Sequence, residues 1–417
     1  MTSIKKVSPE SVGLDSKILP NIGDYLNKVY VEPGKYVGTL TLVARKGEVA
    51  YLEGLGFMDR ENKKPMQEDA IFSIYSMTKS ITSIALMQLY EKSLFRLDDP
   101  VHWHIPSWKN LRVYESGVYP NFITSRPKRP MTIRDLLSHM SGLTYDFMYK
   151  SNVDAAYRKT KVQMNGDLNT FIETLSELPL EFSPGDQWNY SVSTDVCGYL
   201  VEHFSGMKLD EYFQKIIFEP LGMIDTGFYC PKDKADRLAC LYEHNPSDGP
   251  KLLDPSGKEA GRTKERVMLS GGGGLLSTMH DYYQFCSMLY HQGELNGNRI
   301  IGRKTIEMMS TNHLPDNKDL TEMSQSAFSE TPYQGVGFGL GFSTVLDPNK
   351  SQSLTDIGEY GWGGAASTTF WINPKEEMVV IFLTQLLPSS TYQVRRELRS
   401  LVYSALMPSK NASCKAS

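Results

Sequence analysis

The chain has no Gly-x-Ser-x-Gly elbow, so a serine of the α/β-hydrolase kind is not expected. It has no His-Glu-x-x-His, and its eight histidines are dispersed, which removes the helix-borne zinc site of a metalloprotease. Cysteine is scarce: five residues, at 197, 230, 240, 286 and 414, without Cys-x-x-Cys spacing. Neither a disulfide framework nor a zinc cage follows, and free thiols in a reducing compartment are the expectation. The longest apolar run, Met378 to Leu383, is far shorter than the roughly 20 residues a bilayer demands. Met1 to Glu10 contain no apolar stretch, so no secretory signal is read and a cytoplasmic location is expected. Charge of one sign is lacking too: 44 Lys and Arg stand against 48 Asp and Glu, with no basic run to suit nucleic acid. Neither nucleic acid nor a membrane is an expected partner. Oligomeric state is not readable.

What the sequence does have is a Ser-x-x-Lys tetrad in a telling context. The tetrad occurs four times, at Ser3/Lys6, Ser76/Lys79, Ser125/Lys128 and Ser205/Lys208. Ser3 lies in a terminus, where order is least expected. Ser125 sits in Ser-Arg-Pro-Lys-Arg-Pro, whose prolines prevent a helix. Ser205 precedes Gly206, a helix-stop signal. Ser76 alone follows a flat segment, Ala70 to Tyr75, and opens an apolar run, Ile81 to Leu89. Residues three apart share a helix face, so the Ser76 hydroxyl and the Lys79 amine can meet. A serine hydroxyl needs an adjacent base to act as a nucleophile. Burial and the positive end of the helix dipole both favour a neutral lysine there, able to accept a proton.

At 417 residues the chain is long enough for two domains or one large one. Asp15 to Val29 reads as an amphipathic helix. Gly38–Arg45 and Glu48–Glu53 read as strands around a Lys46-Gly47 turn. Helical stretches at Ile133–His139, Leu168–Leu175, Thr194–Phe204 and Leu209–Phe218 follow, separated by long loops. Strand patterns return at Phe338–Val345, Thr368–Trp371 and Met378–Leu383, and a helix over Thr391–Leu406 closes the chain. Strands at both ends with helices between predict an α+β fold. Residues 1–95 and 262–417 would form an antiparallel sheet flanked by helices, residues 96–261 a mostly helical domain, with the active cleft between them.

Two further segments carry candidate chemistry. Glu181 to Ser191 contains a Pro-Gly turn and an aromatic loop ending at Tyr190, just before the Thr194 helix. A tyrosine placed so can relay protons if a neighbouring cation stabilises its phenolate. With 23 tyrosines in the chain, packing beneath the loop is the competing role. Glu359 to Ser367 is glycine-rich ahead of a strand, and could present a backbone N–H to a developing oxyanion or simply form a tight corner. Ser270 to Leu275 is a third glycine loop, without the Lys-Ser/Thr of a phosphate-binding loop. His139 is read as a hydrogen-bonded structural residue rather than a catalytic one.

Taken in order, these segments resemble the serine β-lactamase and penicillin-binding-protein superfamily, in particular its class C β-lactamase-like esterases, the family VIII carboxylesterases. The resemblance rests on Ile74 to Lys79, Leu97 to Pro100, Leu136 to Leu143, Pro184-Gly185 through Tyr190-Ser191, Gly271 to Ser277, and Tyr360 to Gly364, and spans nearly the whole chain. It implies that fold, with Ser76 as nucleophile and Lys79 and Tyr190 as its general-base pair. It implies an oxyanion hole from the N–H groups of Ser76 and Ala365, with Trp362, Gly363, Gly364 and Tyr145 binding substrate. No metal or cofactor is implied, and the partner is a small-molecule ester. Acyl transfer to an alcohol, or weak β-lactam hydrolysis, are the alternatives on the same scaffold. The family's β-lactamases carry Tyr-x-Asn and Lys-Thr-Gly, whereas this chain has Tyr190-Ser191-Val192 and Trp362-Gly363-Gly364. Losing the lysine's charge-assisted hydrogen bond costs about 1.5–3 kcal/mol toward a carboxylate, which favours neutral, apolar esters.

Overall fold

The computed structural model describes residues 4–164, 166–324 and 333–408. Its centre is an eight-stranded antiparallel sheet built from the two ends of the chain. The strands are β1 (Gly38–Arg45), β2 (Glu48–Asp59), β3 (Lys64–Pro65), β4 (Val336–Phe338), β5 (Ser343–Val345), β6 (Tyr360–Gly363), β7 (Thr369–Asn373) and β8 (Met378–Leu383). Their spatial order is β4-β5-β6-β7-β8-β1-β2-β3. The join between the chain ends is the β1–β8 pair, in register from Leu40 opposite Leu383 to Arg45 opposite Met378.

β8 reads Met-Val-Val-Ile-Phe-Leu because both of its faces are covered. Side chains alternate across a strand. Val379, Ile381 and Leu383 enter the larger core, which also takes in the helix Thr78–Glu91 (α1), with the Met279–Tyr290 helix packed on this strand. Met378, Val380 and Phe382 enter a second core on the opposite face. That second core is closed by an N-terminal helix, Asn21–Leu26, and by Val394, Leu398 and Val402 of the C-terminal helix Val394–Ser404. Residues between the two sheet halves supply the Ile133–Leu137 and Ser193–Ser205 helices (α2 and α3) and the Met279–Tyr290 helix (α4); the C-terminal helix is α5. The same stretch also holds three hairpins, Val113–Val118 with Asn121–Ser125, Leu241–Asn245 with Gly249–Asp254 and the short Glu294–Leu295 with Asn298–Arg299, the first two within residues whose helical periodicity gave no sign of them.

Several boundaries differ from the sequence reading. The first helix starts at Asn21 rather than Asp15, because Pro20 is tolerated at a helix start and not inside one. Phe338–Val345 is not one strand: Gly341 takes φ +95° and Gly339 packs where a Cβ would lie 2.0 Å from the Met309 carbonyl, so the chain turns back as β4 and β5. β2 runs on to Asp59, past Glu53. Among the described residues Cys197, Cys230, Cys240 and Cys286 are buried free thiols, while Ser3 and Cys414 lie outside the described residues. No described helix is long and apolar enough to cross a membrane.

Ile381 is fully buried between Leu42 and Phe370. Ile381→Ala should lower unfolding free energy by about 2–5 kcal/mol, read as a shifted denaturant midpoint at unchanged slope. A loss below about 1 kcal/mol would contradict the doubly covered sheet.

Candidate active site

Ser76 lies in a tight turn, Tyr75–Met77, at the entrance to α1. Tyr75 takes φ +43°, a conformation that L-residues with side chains adopt only when their surroundings enforce it. The surroundings are polar clamps. The Ser73 N–H donates to the Gln385 side chain at 2.9 Å, and Gln385 Nε2 donates back to the Ser73 carbonyl at 3.0 Å. Tyr282 of α4 donates to the Met77 carbonyl at 3.0 Å. The Ser76 hydroxyl is thereby held at the mouth of a buried helix.

α1 is buried continuously from Thr78 to Leu89, and its polar residues explain the glycine loop. Thr78 Oγ1 accepts from the Leu275 N–H at 3.2 Å, and Thr82 Oγ1 donates to the Gly271 carbonyl at 2.7 Å. Between them Lys79 Nζ donates to the Gly272 carbonyl at 2.5 Å, to Tyr145 Oη at 2.8 Å and toward Ser76 Oγ at 3.5 Å. Three oxygens thus face Lys79 Nζ, an arrangement that suits the three donors of an ammonium rather than the neutral amine expected from the sequence. Asp195 of α3 stands behind this group, accepting from Ser270 Oγ at 2.5 Å and the Gly272 N–H at 3.0 Å. Burial raises its carboxyl above the usual range, against the pull of Lys79. Glycine is required at 272, since a Cβ there would sit 2.5 Å from Asp195 Oδ2.

Tyr190 ends the loop before α3, and its hydroxyl donates to Ser76 Oγ at 2.6 Å. Lys79 Nζ lies 4.6 Å from the centre of the Tyr190 ring and 5.2 Å from that of Tyr145. Beneath Tyr190 sits His139, buried, at φ +57°, its Nδ1 3.2 Å from Ser191 Oγ. Burial, reinforced by Lys79, pushes His139 well below its ordinary pKa, so it stays a neutral packing residue. This matches the structural role read from the sequence.

Ser76, Tyr145, Tyr190, Trp362, Gly363 and Ala365 all line one cavity of about 540 Å³, with Phe147, Tyr333, Leu387, Pro388 and Arg395 among its other walls. Trp362 stands 5.7 Å from Tyr190 and stacks on Tyr333 at 6.3 Å. Tyr145 and Phe147 stack at 4.6 Å. Lys79 is beneath the cavity floor, hydrogen-bonded to its lining. Gly364 does not line the cavity. A Cβ on it would lie 2.5 Å from the Ile74 carbonyl, so its place is to let the strand end reach the backbone ahead of Ser76. Tyr145 lines the cavity as expected, but its hydroxyl is engaged by Lys79. Val192, where the family's β-lactamases have asparagine, is fully buried and absent from the cavity wall.

The Beta-lactamase family profile matches residues 26–404. The chain belongs to the beta-lactamase family. Within it, the chain is 31% identical over 368 residues to Protein Rv1367c of Mycobacterium tuberculosis, covering 86% of this chain and 88% of that one. It is 27% identical over 400 residues to Esterase EstB of Burkholderia gladioli, covering 91% and 93%. Among solved structures, EstCE1, described as a hydrolase with promiscuous acyltransferase activity, superposes with a TM-score of 0.77 at 25% identity, covering 93% of this chain and 99% of that one. The likeness to the esterase branch, read from the order of the motifs, holds.

Asp195, Phe147, Tyr333 and Arg395 were missed in the sequence. A signal existed for Asp195, an acid directly ahead of the apolar run Val196 to Val201, and for Arg395, which falls three and seven residues before buried Leu398 and Val402 on one face of α5.

The neutral His139 gives a pH test. Its folded pKa is depressed, so as pH falls below about 6.5 the unfolded chain gains a proton that the folded one refuses. Stability contributed by this site is lost toward acid, at up to about 1.4 kcal/mol per pH unit. Comparing denaturant unfolding of wild type and His139→Gln between pH 7 and 5 (about one residue's titration range) should show a shallower slope in the variant. Equal slopes would contradict the assignment.

Proposed function

We propose that this protein is a serine carboxylesterase that hydrolyses small to medium acyl esters through an acyl-enzyme on Ser76. The observation that carries this reading is the 2.6 Å hydrogen bond between Tyr190 and Ser76, with Lys79 placed against both. In the first step Ser76 Oγ attacks the ester carbonyl carbon and its proton passes to Tyr190, which enters this step as the phenolate, the reverse of its resting donation to Ser76. Lys79 offsets the negative charge that Tyr190 carries as the acceptor. The carbonyl oxygen becomes an oxyanion facing the N–H groups of Ser76 and Ala365. Collapse breaks the bond to the alkoxide, which leaves as the alcohol with the proton from Tyr190. Water then repeats the sequence on the acyl-enzyme and releases the acid.

The cavity supports an ester rather than a β-lactam. Its volume, about 540 Å³, falls within the usual range for small-molecule sites, and six of its sixteen lining residues are aromatic. Trp362 stands where the family's β-lactamases place a carboxylate-binding lysine, and Val192 offers no side-chain amide. The described activity of EstCE1 supports a second reading, transfer of the same acyl group to an added alcohol instead of water.

Ser76→Ala should lower kcat on p-nitrophenyl butyrate by more than about 10³-fold with an unchanged circular dichroism spectrum. Activity near wild type would end the assignment. Lys79→Ala and Tyr190→Phe should each cost orders of magnitude, and the double variant little more, because the two act as a unit. Additive losses would show that they do not. For Trp362→Ala, steady-state kinetics across a series of acyl chains should show a raised KM and a preference shifted to bulkier acyl groups; an unchanged profile would remove Trp362 from the acyl wall.

A further inference from the structure

Glycines at 363 and 364 leave the strand end before Ala365 cheap to rotate. An oxyanion donor works only if it is already aimed when charge develops. Something other than local stiffness must therefore fix the Gly364–Ala365 peptide.

The candidate is Arg395, from the first turn of α5. Its Nη2 donates to the Gly364 carbonyl at 2.9 Å and to the Thr368 carbonyl at 2.7 Å. The Gly364 carbonyl and the Ala365 N–H belong to one rigid peptide plane and point opposite ways. A donor held on the carbonyl sets the direction of the N–H. The Thr368 carbonyl also accepts from the Gly364 N–H at 2.9 Å, so both ends of the Gly364–Thr368 loop meet on one guanidinium. Ser367, inside that loop, takes φ +66° and donates through Oγ to the Leu386 carbonyl at 2.9 Å. Gly363 is shaped to the same group, since a Cβ there would lie 2.5 Å from Arg395 Cζ. Arg395 is itself fixed, because neighbouring Val394 and Leu398 are buried and Arg399 pairs with Glu359 at 3.0 Å. Burial lowers Arg395 only to about 10, which leaves it a cation at neutral pH. A charged donor on a carbonyl also polarises the amide and strengthens its N–H as a donor.

We propose that Arg395 is a positioning residue, whose guanidinium aims and polarises the Gly364–Ala365 peptide so that the Ala365 N–H serves the oxyanion. The proposal rests on the assignment of Ala365 to the oxyanion hole made under Proposed function.

The test compares wild type with Arg395→Lys and Arg395→Ala on p-nitrophenyl butyrate and on its thionoester, in which sulfur replaces the carbonyl oxygen. Wild type should discriminate strongly for the oxygen ester, because its hole is aimed at a small oxyanion. In both variants kcat on the oxygen ester should fall ~10- to 100-fold with KM within about twofold, less than the 10²–10³-fold of deleting a donor outright. The oxygen-to-sulfur preference should shrink in step. Added guanidinium should restore part of the Arg395→Ala rate. Should either variant keep wild-type kcat, or lose rate with the oxygen-to-sulfur ratio intact, Arg395 is a packing residue and the proposal fails. If wild type itself shows no preference between the two esters, the oxyanion-hole assignment fails, and this proposal with it.

Discussion

The site depends on one buried cation. Lys79 is only 1% exposed, in the first turn of a helix buried from Thr78 to Leu89. A charge so placed is tolerable only if its donors are satisfied and an opposite charge is near. The acceptors come from three separate stretches of chain: Ser76 on the same turn, Tyr145 after α2, and Gly272 of the glycine loop. Asp195 supplies the opposite charge from α3, through the Gly272 backbone. Satisfying Lys79 therefore draws the reacting serine, the tyrosine loop and the glycine loop onto one point. Removing the charge would leave several buried oxygens unpartnered as well as disarm the serine.

The sheet does the complementary work. Pairing β1 with β8 closes the chain ends into one rigid layer, whose β6 ends in the Gly363–Ala365 edge at the cavity, while Tyr75-Ser76 follow Phe72–Ser73, which pairs separately with Leu276–Ser277. Three of the fourteen described non-glycine residues with positive φ, Tyr75, His139 and Ser367, lie at this meeting point. Each is held by packing or hydrogen bonds from distant segments. Strain of this kind persists only where the surroundings over-determine it, and it commonly marks sites that must be preorganised.

Ser76 and Lys79 were legible because the tetrad precedes a mostly apolar run, Ile81 to Leu89, and because that context sets it apart from the other three tetrads. Tyr190 stood out only through the family resemblance, its loop at a helix start being equally open to packing, whereas β8 was legible from six consecutive apolar residues. The glycine loop was visible, but its purpose was not, because its partners Thr78, Lys79, Thr82 and Asp195 lie 75 or more residues away in the chain. Arg395 was hidden for the same reason: its contacts with Gly364 and Thr368 cross 31 and 27 residues. Gly364 was placed in the cavity wall from its motif, yet it packs on Ile74, which only the fold could tell. The Asp15 start of the first helix failed on a local rule, the proline at 20, that periodicity overrode.

The central claim is that Ser76 carries an acyl group drawn from an ester. Its most direct test is intact-protein mass spectrometry after brief exposure to p-nitrophenyl butyrate and, separately, to a penicillin, with Ser76→Ala as control. The account predicts a transient butyryl adduct that maps to Ser76, is absent from Ser76→Ala, and has no stable penicilloyl counterpart. A butyryl adduct elsewhere, or none while nitrophenol is still released, would contradict it.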